Sequence, residues 1–160
     1  MVDGFEIVLA LHVAAGSLGL LLGPLAMRAE REAPYRSRLG VAYHWSVLAV
    51  ALTALGLIAF DPAGLWWLAP LAALSYGLAL VGLIAPRHGQ RGLALYARGQ
   101  GGSYIALVTA LLVVSLDGPL AIAAWIVPTL LGHQLIERRV ARIRRQTEQR
   151  AGLVAVRGAP

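Results

Sequence analysis

The sequence predicts an all-α fold, an integral membrane bundle of five transmembrane helices. Composition is the first reason: 58% of the residues are hydrophobic, the mean hydropathy is +0.68 and only 14% are charged, whereas soluble domains carry roughly 25% charged residues. The second reason is that apolar stretches of helix length alternate with short polar connections. The third is the charge distribution, because the basic residues occupy only alternate connections.

The first apolar segment, Phe5 to Met27, is the longest. A helix of about 23 residues is about 34 Å long, enough to cross a hydrocarbon core of roughly 30 Å. Acidic residues, Asp3 and Glu6, lie where a cleaved signal peptide would carry a basic region. We therefore expect this segment to be retained as the first span.

Four further apolar segments follow along the chain. The fourth of the five spans is short, so its helix must begin in the preceding glycine-rich stretch, tilt, or lie in a thinned bilayer. The predicted spans after the first are Leu39 to Phe60, Leu65 to Ala85, Ser103 to Leu116, and Pro119 to Ile136.

Arginine supplies all of the positive charge and predicts the orientation. The 14 arginines fall in three segments, Arg28 to Arg38, Arg87 to Arg98, and Arg138 onward. The connections that contain Asp61 and Asp117 have no basic residue. By the positive-inside rule, the N-terminus lies outside and the C-terminus is cytoplasmic. Because the arginines are divided among juxtamembrane segments, the net charge of +6 indicates topology and not binding of nucleic acid.

The chain divides into a five-helix transmembrane domain, 1–136, and a basic cytoplasmic tail, 137–160. The tail interleaves arginines with Val140 and Ile143. That pattern fits either an amphipathic extension that contacts anionic headgroups or a stop-transfer anchor with solvated arginines. We expect the part after Gly152 to be disordered.

Small residues recur on one face of the first helix. Ala15, Gly19 and Gly23 follow one another at intervals of four, and His12 shares their face. Such a strip lets a second helix approach closely inside a membrane. We predict that Ala15, Gly19 and Gly23 form a helix-packing face and that His12 points at protein.

The interior of the predicted spans offers little for catalysis. Apart from Glu6 near the outer end, the spans contain no Asp, Glu, Lys or Arg, although ion-coupled transporters normally place such groups at membrane depth. There is no cysteine, and no hydrolase, metalloprotease or phosphate-loop motif. We predict no catalytic residue and no metal site, and we favour a protein that is not an enzyme.

The histidines remain as candidates for chemistry. His44 and His133 each lie about one turn from the predicted cytoplasmic border, on the second and fifth spans. If their faces meet, the two imidazoles would ligate a b-type haem from opposite sides, with His12 as a separate ligand. In the alternative, each histidine is hydrogen-bonded to a carbonyl or hydroxyl, or reaches the wet interface. We predict no cofactor and keep haem b, or a quinone, as the alternative.

Four stretches in order along the chain are LHVAAGSLGLLLGPLAM, RSRLGVAYHWSVLAVALTALGL, RGQGGSYIALVTALLVV and WIVPTLLGHQLI. They resemble the signatures of a family of small bacterial multi-pass membrane proteins of unknown function. The family pattern before the second span resembles His-Arg-x-Leu-Gly-Arg-x-Tyr, and another His often precedes the arginine at Arg98. Here Arg36, Val41 and Leu95 replace the first His, the second Arg and the other His. The resemblance implies fold and topology, but no activity.

Two functions remain from the sequence. The first is a non-catalytic accessory or scaffolding protein of the bacterial cytoplasmic (inner) membrane, whose partners are the lipid bilayer and either other membrane subunits or further copies of itself. The second is a membrane electron carrier that binds haem or quinone through His44 and His133. A visible absorption spectrum discriminates between the two, because bound haem would dominate it.

Overall fold

The computed structural model describes residues 3–32, 37–85 and 89–157, and these residues are almost entirely helical, without a β-strand. The predicted all-α fold class is therefore confirmed. Five long helices and one single-turn helix follow one another: α1 (Gly4–Glu32), α2 (Arg38–Phe60), α3 (Pro62–Leu65), α4 (Leu68–Ile84), α5 (Gly89–Ser115) and α6 (Pro119–Arg157).

Four of these helices, α1, α2, α5 and α6, are long and apolar enough to cross a membrane. α4 is also apolar but has only 17 residues, which corresponds to about 26 Å of helix. The fold is compatible with a multi-pass membrane protein. The shortest of the five apolar helices is therefore α4, which corresponds to the third predicted span, and not α5, which corresponds to the fourth.

The late start of α4 has a local cause. Pro62 stands at the start of α3, and the Asp61 carboxylate accepts a hydrogen bond from the Gly64 backbone N–H at 3.0 Å, so a separate turn of helix is capped there. The Trp67 indole then donates to the Gly64 carbonyl at 3.0 Å. α4 begins after this turn, and Pro70 falls in its first turn, where the missing N–H costs no helical hydrogen bond.

α5 is much longer than the apolar segment Ser103 to Leu116 that predicts it. It has 27 residues and begins at Gly89. The stretch Gly99 to Gly102 therefore lies inside the helix and is not its beginning. With this length, the fourth apolar helix needs no thinned bilayer to cross a membrane.

The long helices alternate in direction. α1, α4 and α6 run one way, and α2 and α5 run the other. Neighbouring residues establish these directions. Between α1 and α2 they are Gly4 with Phe60 and Gly23 with Tyr43, and between α1 and α5 they are Gly19 with Leu107 and Gly23 with Tyr104. Between α4 and α5 they are Leu78 with Gly102 and Gly82 with Gln100, and Ile105 lies beside Gly132 between α5 and α6.

Four helices form a closed ring, in which α1 packs against α2 and α5, and α4 packs against the same two helices. α6 packs along α5 on the outside of this ring. The centre of the ring is occupied by a buried apolar cluster: Ala26, Tyr43, Val47, Ala79 and Leu107.

Charged residues collect at the two ends of the bundle. At one end, called here the arginine end, lie Arg28, Arg38, Arg91 and the arginines of α6; at the other, the aspartate end, lie Asp3, Asp61 and Asp117. Arg36 and Arg87 lie outside the described residues. α6 continues as one helix through residue 137, the predicted domain boundary, and includes Gly152.

Candidate functional site

Gly19 and Gly23 are buried where α1 meets α2 and α5. A Cβ atom on Gly19 would lie 3.2 Å from Ser46 Oγ, and one on Gly23 would overlap the Tyr104 ring. Ala15 is half-buried on the same helix. The backbone of α1 therefore approaches α2 and α5 closely at Gly19 and Gly23.

His12 is half-buried on α1, and its Nδ1 lies 2.9 Å from Thr53 Oγ1 on α2. The Thr53 hydroxyl donates its single hydrogen to the helix carbonyls of Ala49, at 2.7 Å, or Val50, at 3.1 Å. In that arrangement the Thr53 oxygen accepts from His12 Nδ1, which corresponds to the tautomer with the proton on Nδ1.

His44 is buried on α2, with 8% of its surface exposed. Its ring centroid lies 5.4 Å from that of Tyr76 on α4. The neighbouring Trp45 is 62% exposed. The imidazole of His44 therefore lies between α2 and α4, inside the ring of helices.

His133 is exposed on α6, one turn before an ion pair between α6 and α5. In this pair, Arg98 Nε donates to Glu137 Oε1 at 3.0 Å and Arg98 Nη2 donates to Oε2 at 3.1 Å. Glu137 follows the last residue of the predicted span. The hydrogen bonds from the Arg98 guanidinium hold the pKa of the Glu137 carboxyl below its ordinary value.

The three histidines considered as haem ligands lie in different surroundings. His44 is inside the ring between α2 and α4, whereas His133 is on the outside of α6, which packs along α5. His12 lies nearer the aspartate end. In the part of the chain that is described, no group of three His, Cys, Asp or Glu side chains is placed to hold a metal ion. Paired haem ligation by His44 and His133 stays a prediction, which this arrangement does not favour.

A close helix crossing joins α4 to α5, outside the predicted packing face. A Cβ atom on Gly99 would lie 2.5 Å from the Gly82 backbone nitrogen and 2.8 Å from the Leu78 carbonyl oxygen. Backbone therefore meets backbone at this crossing. A Cβ on Gly101 would instead lie 2.8 Å from the Ile136 side chain on α6. The glycine-rich stretch of α5 thus serves two neighbours, one on each side.

A buried hydrogen bond joins α2 to α5 near the centre of the ring. The Tyr43 hydroxyl donates to Ser103 Oγ at 3.1 Å, and neither side chain is exposed. Ser46 Oγ donates to the Tyr43 carbonyl at 2.7 Å. These groups satisfy one another without solvent, as polar side chains inside a membrane must.

A partly open cleft lies between α1, α2, α4 and α5, on the side of the ring nearer the aspartate end. Its volume is about 40 Å³. Ser75 lines it and is 6% exposed, and Ser75 Oγ has no hydrogen-bond partner among the described residues. A single serine in an apolar helix carries no sequence signal for such a site. The cleft is lined by His12, Val50, Ala51, Ala54, Leu68, Leu71, Ala72, Ser75, Ala106, Leu107 and Ala110.

Comparisons with known proteins add no relative: no family model, no curated protein and no solved structure matches this chain. The resemblance to a family of small bacterial multi-pass membrane proteins therefore stays a prediction.

Proposed function

We propose that this chain is a non-catalytic accessory or scaffolding protein of the bacterial inner membrane. It crosses the bilayer five times, with the aspartate end outside and the arginine end in the cytoplasm. It acts by associating through α6 with other membrane subunits or with further copies of itself.

The alternation of helix directions supports five crossings. α4 is shorter than a typical hydrocarbon core by about 4 Å, a mismatch that costs only fractions of a kcal/mol per Å when the bilayer thins locally. Its two neighbours in the ring, α2 and α5, are long enough to cross. If α4 crosses with them, all arginines of the described residues lie on one side of the membrane, as the positive-inside rule requires.

The observation that carries the association is the exposure of α6. Eight of its large apolar residues are 44% to 65% exposed, and it packs mainly against one helix, α5, whereas α1, whose apolar residues are as exposed, packs against both α2 and α5. Lipid can cover such a surface, but so can another transmembrane helix. The exposed residues are Leu120, Ile122, Trp125, Ile126, Val127, Leu130, Leu131 and Leu135.

Polar groups on the outside of α6 are available to a protein partner. His133 and Gln134 are exposed within the last turn before Glu137. At the edge of the hydrocarbon core, such side chains hydrogen-bond either to water and headgroups or to a second protein. Neighbouring Gly132 faces Ile105 of α5, so the small residue serves the internal contact while the polar residues remain available to a second protein.

The experiment compares outward-facing substitutions on two helices. Ile126→Trp and Leu130→Trp change the outer face of α6, and Leu21→Trp changes the outer face of α1, where Leu21 is 68% exposed. Purification in mild detergent should retain a stoichiometric larger assembly for the unmodified chain and for Leu21→Trp. The two α6 variants should lose it, because a bulky ring prevents close approach of a second helix.

Two results would contradict the proposal. One is that the protein, when it is extracted in particles that retain native lipid, is a monomer and carries no stoichiometric partner. The other is an assembly that survives both α6 substitutions. The haem alternative has a separate test: a Soret band that vanishes in the double variant His44→Ala, His133→Ala would establish haem binding instead.

A further inference from the structure

Past its apolar part, α6 carries three arginines on one face. Arg138, Arg142 and Arg145 follow one another at intervals of four and three, which places them on one side of the helix. All three are exposed. The opposite side carries Val140, which is buried, and Ile143, which is half-buried. The three residues, called here the arginine row, therefore face away from the bundle.

The arginine row continues the exposed apolar face of α6. Val127 and Leu131 are 48% and 57% exposed, and Leu131 lies about two turns before Arg138 on the same side of the helix. Because α6 is one helix from Pro119 to Arg157, the apolar and basic parts share one register. A second helix that packs along Val127 and Leu131 and extends past the arginine end therefore meets the arginine row.

No carboxylate of the described residues forms an ion pair with the arginine row. The Glu137 carboxylate accepts both of its hydrogen bonds from Arg98 of α5. Glu148 follows Arg145 by about one turn. With Glu137 occupied, the single carboxylate of Glu148 is too little to balance three guanidiniums, so the row keeps a net positive charge.

This charge opposes pairing of two copies through the same face. All copies share one orientation in the proposed topology, because the arginines set it. A two-fold interface brings the same patch of both copies together, so one arginine row would lie against another. Like charges placed opposite each other in an interface weaken binding. The face is instead complementary to a helix that carries carboxylates at this level.

The distance of the row from the bilayer favours protein carboxylates over lipid headgroups. By rise per residue, Arg142 and Arg145 lie about 9 and 14 Å beyond Ile136, where the predicted span ends. The headgroup layer of one leaflet is only about 5 to 8 Å thick. Headgroups therefore reach Arg138, whereas a neighbouring helix that continues past the bilayer reaches the whole row.

We propose that α6 docks against a different membrane protein, whose transmembrane helix continues past the arginine end with Asp or Glu residues spaced by three or four. The apolar faces pack inside the bilayer, and the carboxylates pair with Arg142 and Arg145. This inference rests on the association proposed for α6. It selects a different protein, and not a second copy of this chain, as the partner at that face.

A charge-reversed copy of the full chain is the probe that tests this inference. The double variant Arg142→Glu, Arg145→Glu keeps the apolar face of α6 and carries carboxylates at the level of the row. Copies fused at the C-terminus to donor and acceptor fluorescent proteins are co-expressed in bacterial cells, and energy transfer measures their pairing. An unmodified copy should pair with the reversed copy roughly tenfold more tightly than with another unmodified copy.

The matched control is the double variant Arg38→Glu, Arg91→Glu. It changes the net charge by the same amount at exposed positions on α2 and α5. An unmodified copy should pair with this control no more tightly than with another unmodified copy. Leu130→Trp, placed in the reversed copy, should abolish the gain in pairing, because Leu130 is 59% exposed on the apolar part of α6.

The inference is overturned if two unmodified copies pair as tightly as an unmodified and a reversed copy, or if the control gains as much as the reversed copy. Absence of any gain overturns it too, because anionic headgroups of the cell membrane then cover the row. Leu130→Trp separates this failure from that of the proposed function. Pairing of unmodified copies that Leu130→Trp abolishes keeps the association on α6, whereas pairing that survives it contradicts the proposed function as well.

Discussion

At the scale of single residues, glycine sets the distance between α4 and α5. Gly99→Ala should lower the free energy of unfolding by about 1 to 3 kcal/mol, the range for overpacking. The physical reason is that the new methyl group would meet backbone atoms of Gly82 and Leu78, which cannot rotate away. Thermal unfolding in detergent measures the loss.

Gly77→Ala on α4 is the matched control for this substitution. Nothing lies within 4 Å of a Cβ built at Gly77, so the helix should gain up to about 1 kcal/mol from the better helix former. If both substitutions change stability equally, the close crossing at Gly82 and Gly99 is wrong.

The Tyr43 to Ser103 hydrogen bond gives a second prediction. A double-mutant cycle of Tyr43→Phe and Ser103→Ala should yield a coupling energy of about 0.6 to 1.7 kcal/mol, the range for hydrogen bonds between membrane helices. Equilibrium unfolding of the two single variants and the double variant provides the values. Strictly additive effects would mean that the two hydroxyls do not interact.

Residue spacing predicts some of these positions and misses others. Gly19 and Gly23 recur at an interval of four on one helix, and both are buried against neighbours. Gly82 and Gly99 lie on different helices, so their meeting depends on the register of α4 and α5, which no local pattern encodes. Ser75 is missed for the same reason, since its surroundings come from three other helices.

At the scale of elements, the apolar segments predict which helices exist better than where they begin. α2 matches its segment to within a residue at either end. α5 extends far beyond its segment because Arg91, Arg98 and Gln100 lower the hydropathy without breaking the helix. The start of α4 is displaced by turn chemistry at Asp61 and Pro62, which hydropathy does not register.

The contact of α1 with its neighbours gives a prediction at this scale. Gly19→Leu should lower stability in detergent, by about 1 to 3 kcal/mol, because the side chain would enter the space occupied by Ser46 and Leu107. Leu21→Ile is the control, since Leu21 is 68% exposed. Leu20 is unsuitable because it packs against the buried cluster. Equal stability of the two variants would show that Gly19 faces lipid.

At the scale of the whole molecule, the ring and α6 contribute different features. The ring of α1, α2, α4 and α5 contains the buried hydrogen bonds and the cleft, whereas α6 contributes an exposed apolar face. α6 also extends about 20 Å beyond Ile136 up to Gln149, with Arg138, Arg142, Arg144 and Arg145 exposed. The proposed association therefore belongs to α6, and the ring supplies the internal packing of the bundle.

The proposed topology depends on the number of membrane crossings, and the parity of that number can be measured. An odd number places the two ends of the described chain on opposite sides, and an even number places them on the same side. The chain has no cysteine, so single cysteines at the exposed positions Asp3, Asp117 and Gln149 report without background.

The deciding measurement is labelling of these three variants in intact cells with a membrane-impermeant thiol reagent. Asp3→Cys and Asp117→Cys should label, and Gln149→Cys should label only after the membrane is permeabilised, because five crossings and the positive-inside rule place it in the cytoplasm. Labelling of Asp3→Cys and Gln149→Cys from the same side would mean an even number of crossings and would contradict the five-span bundle.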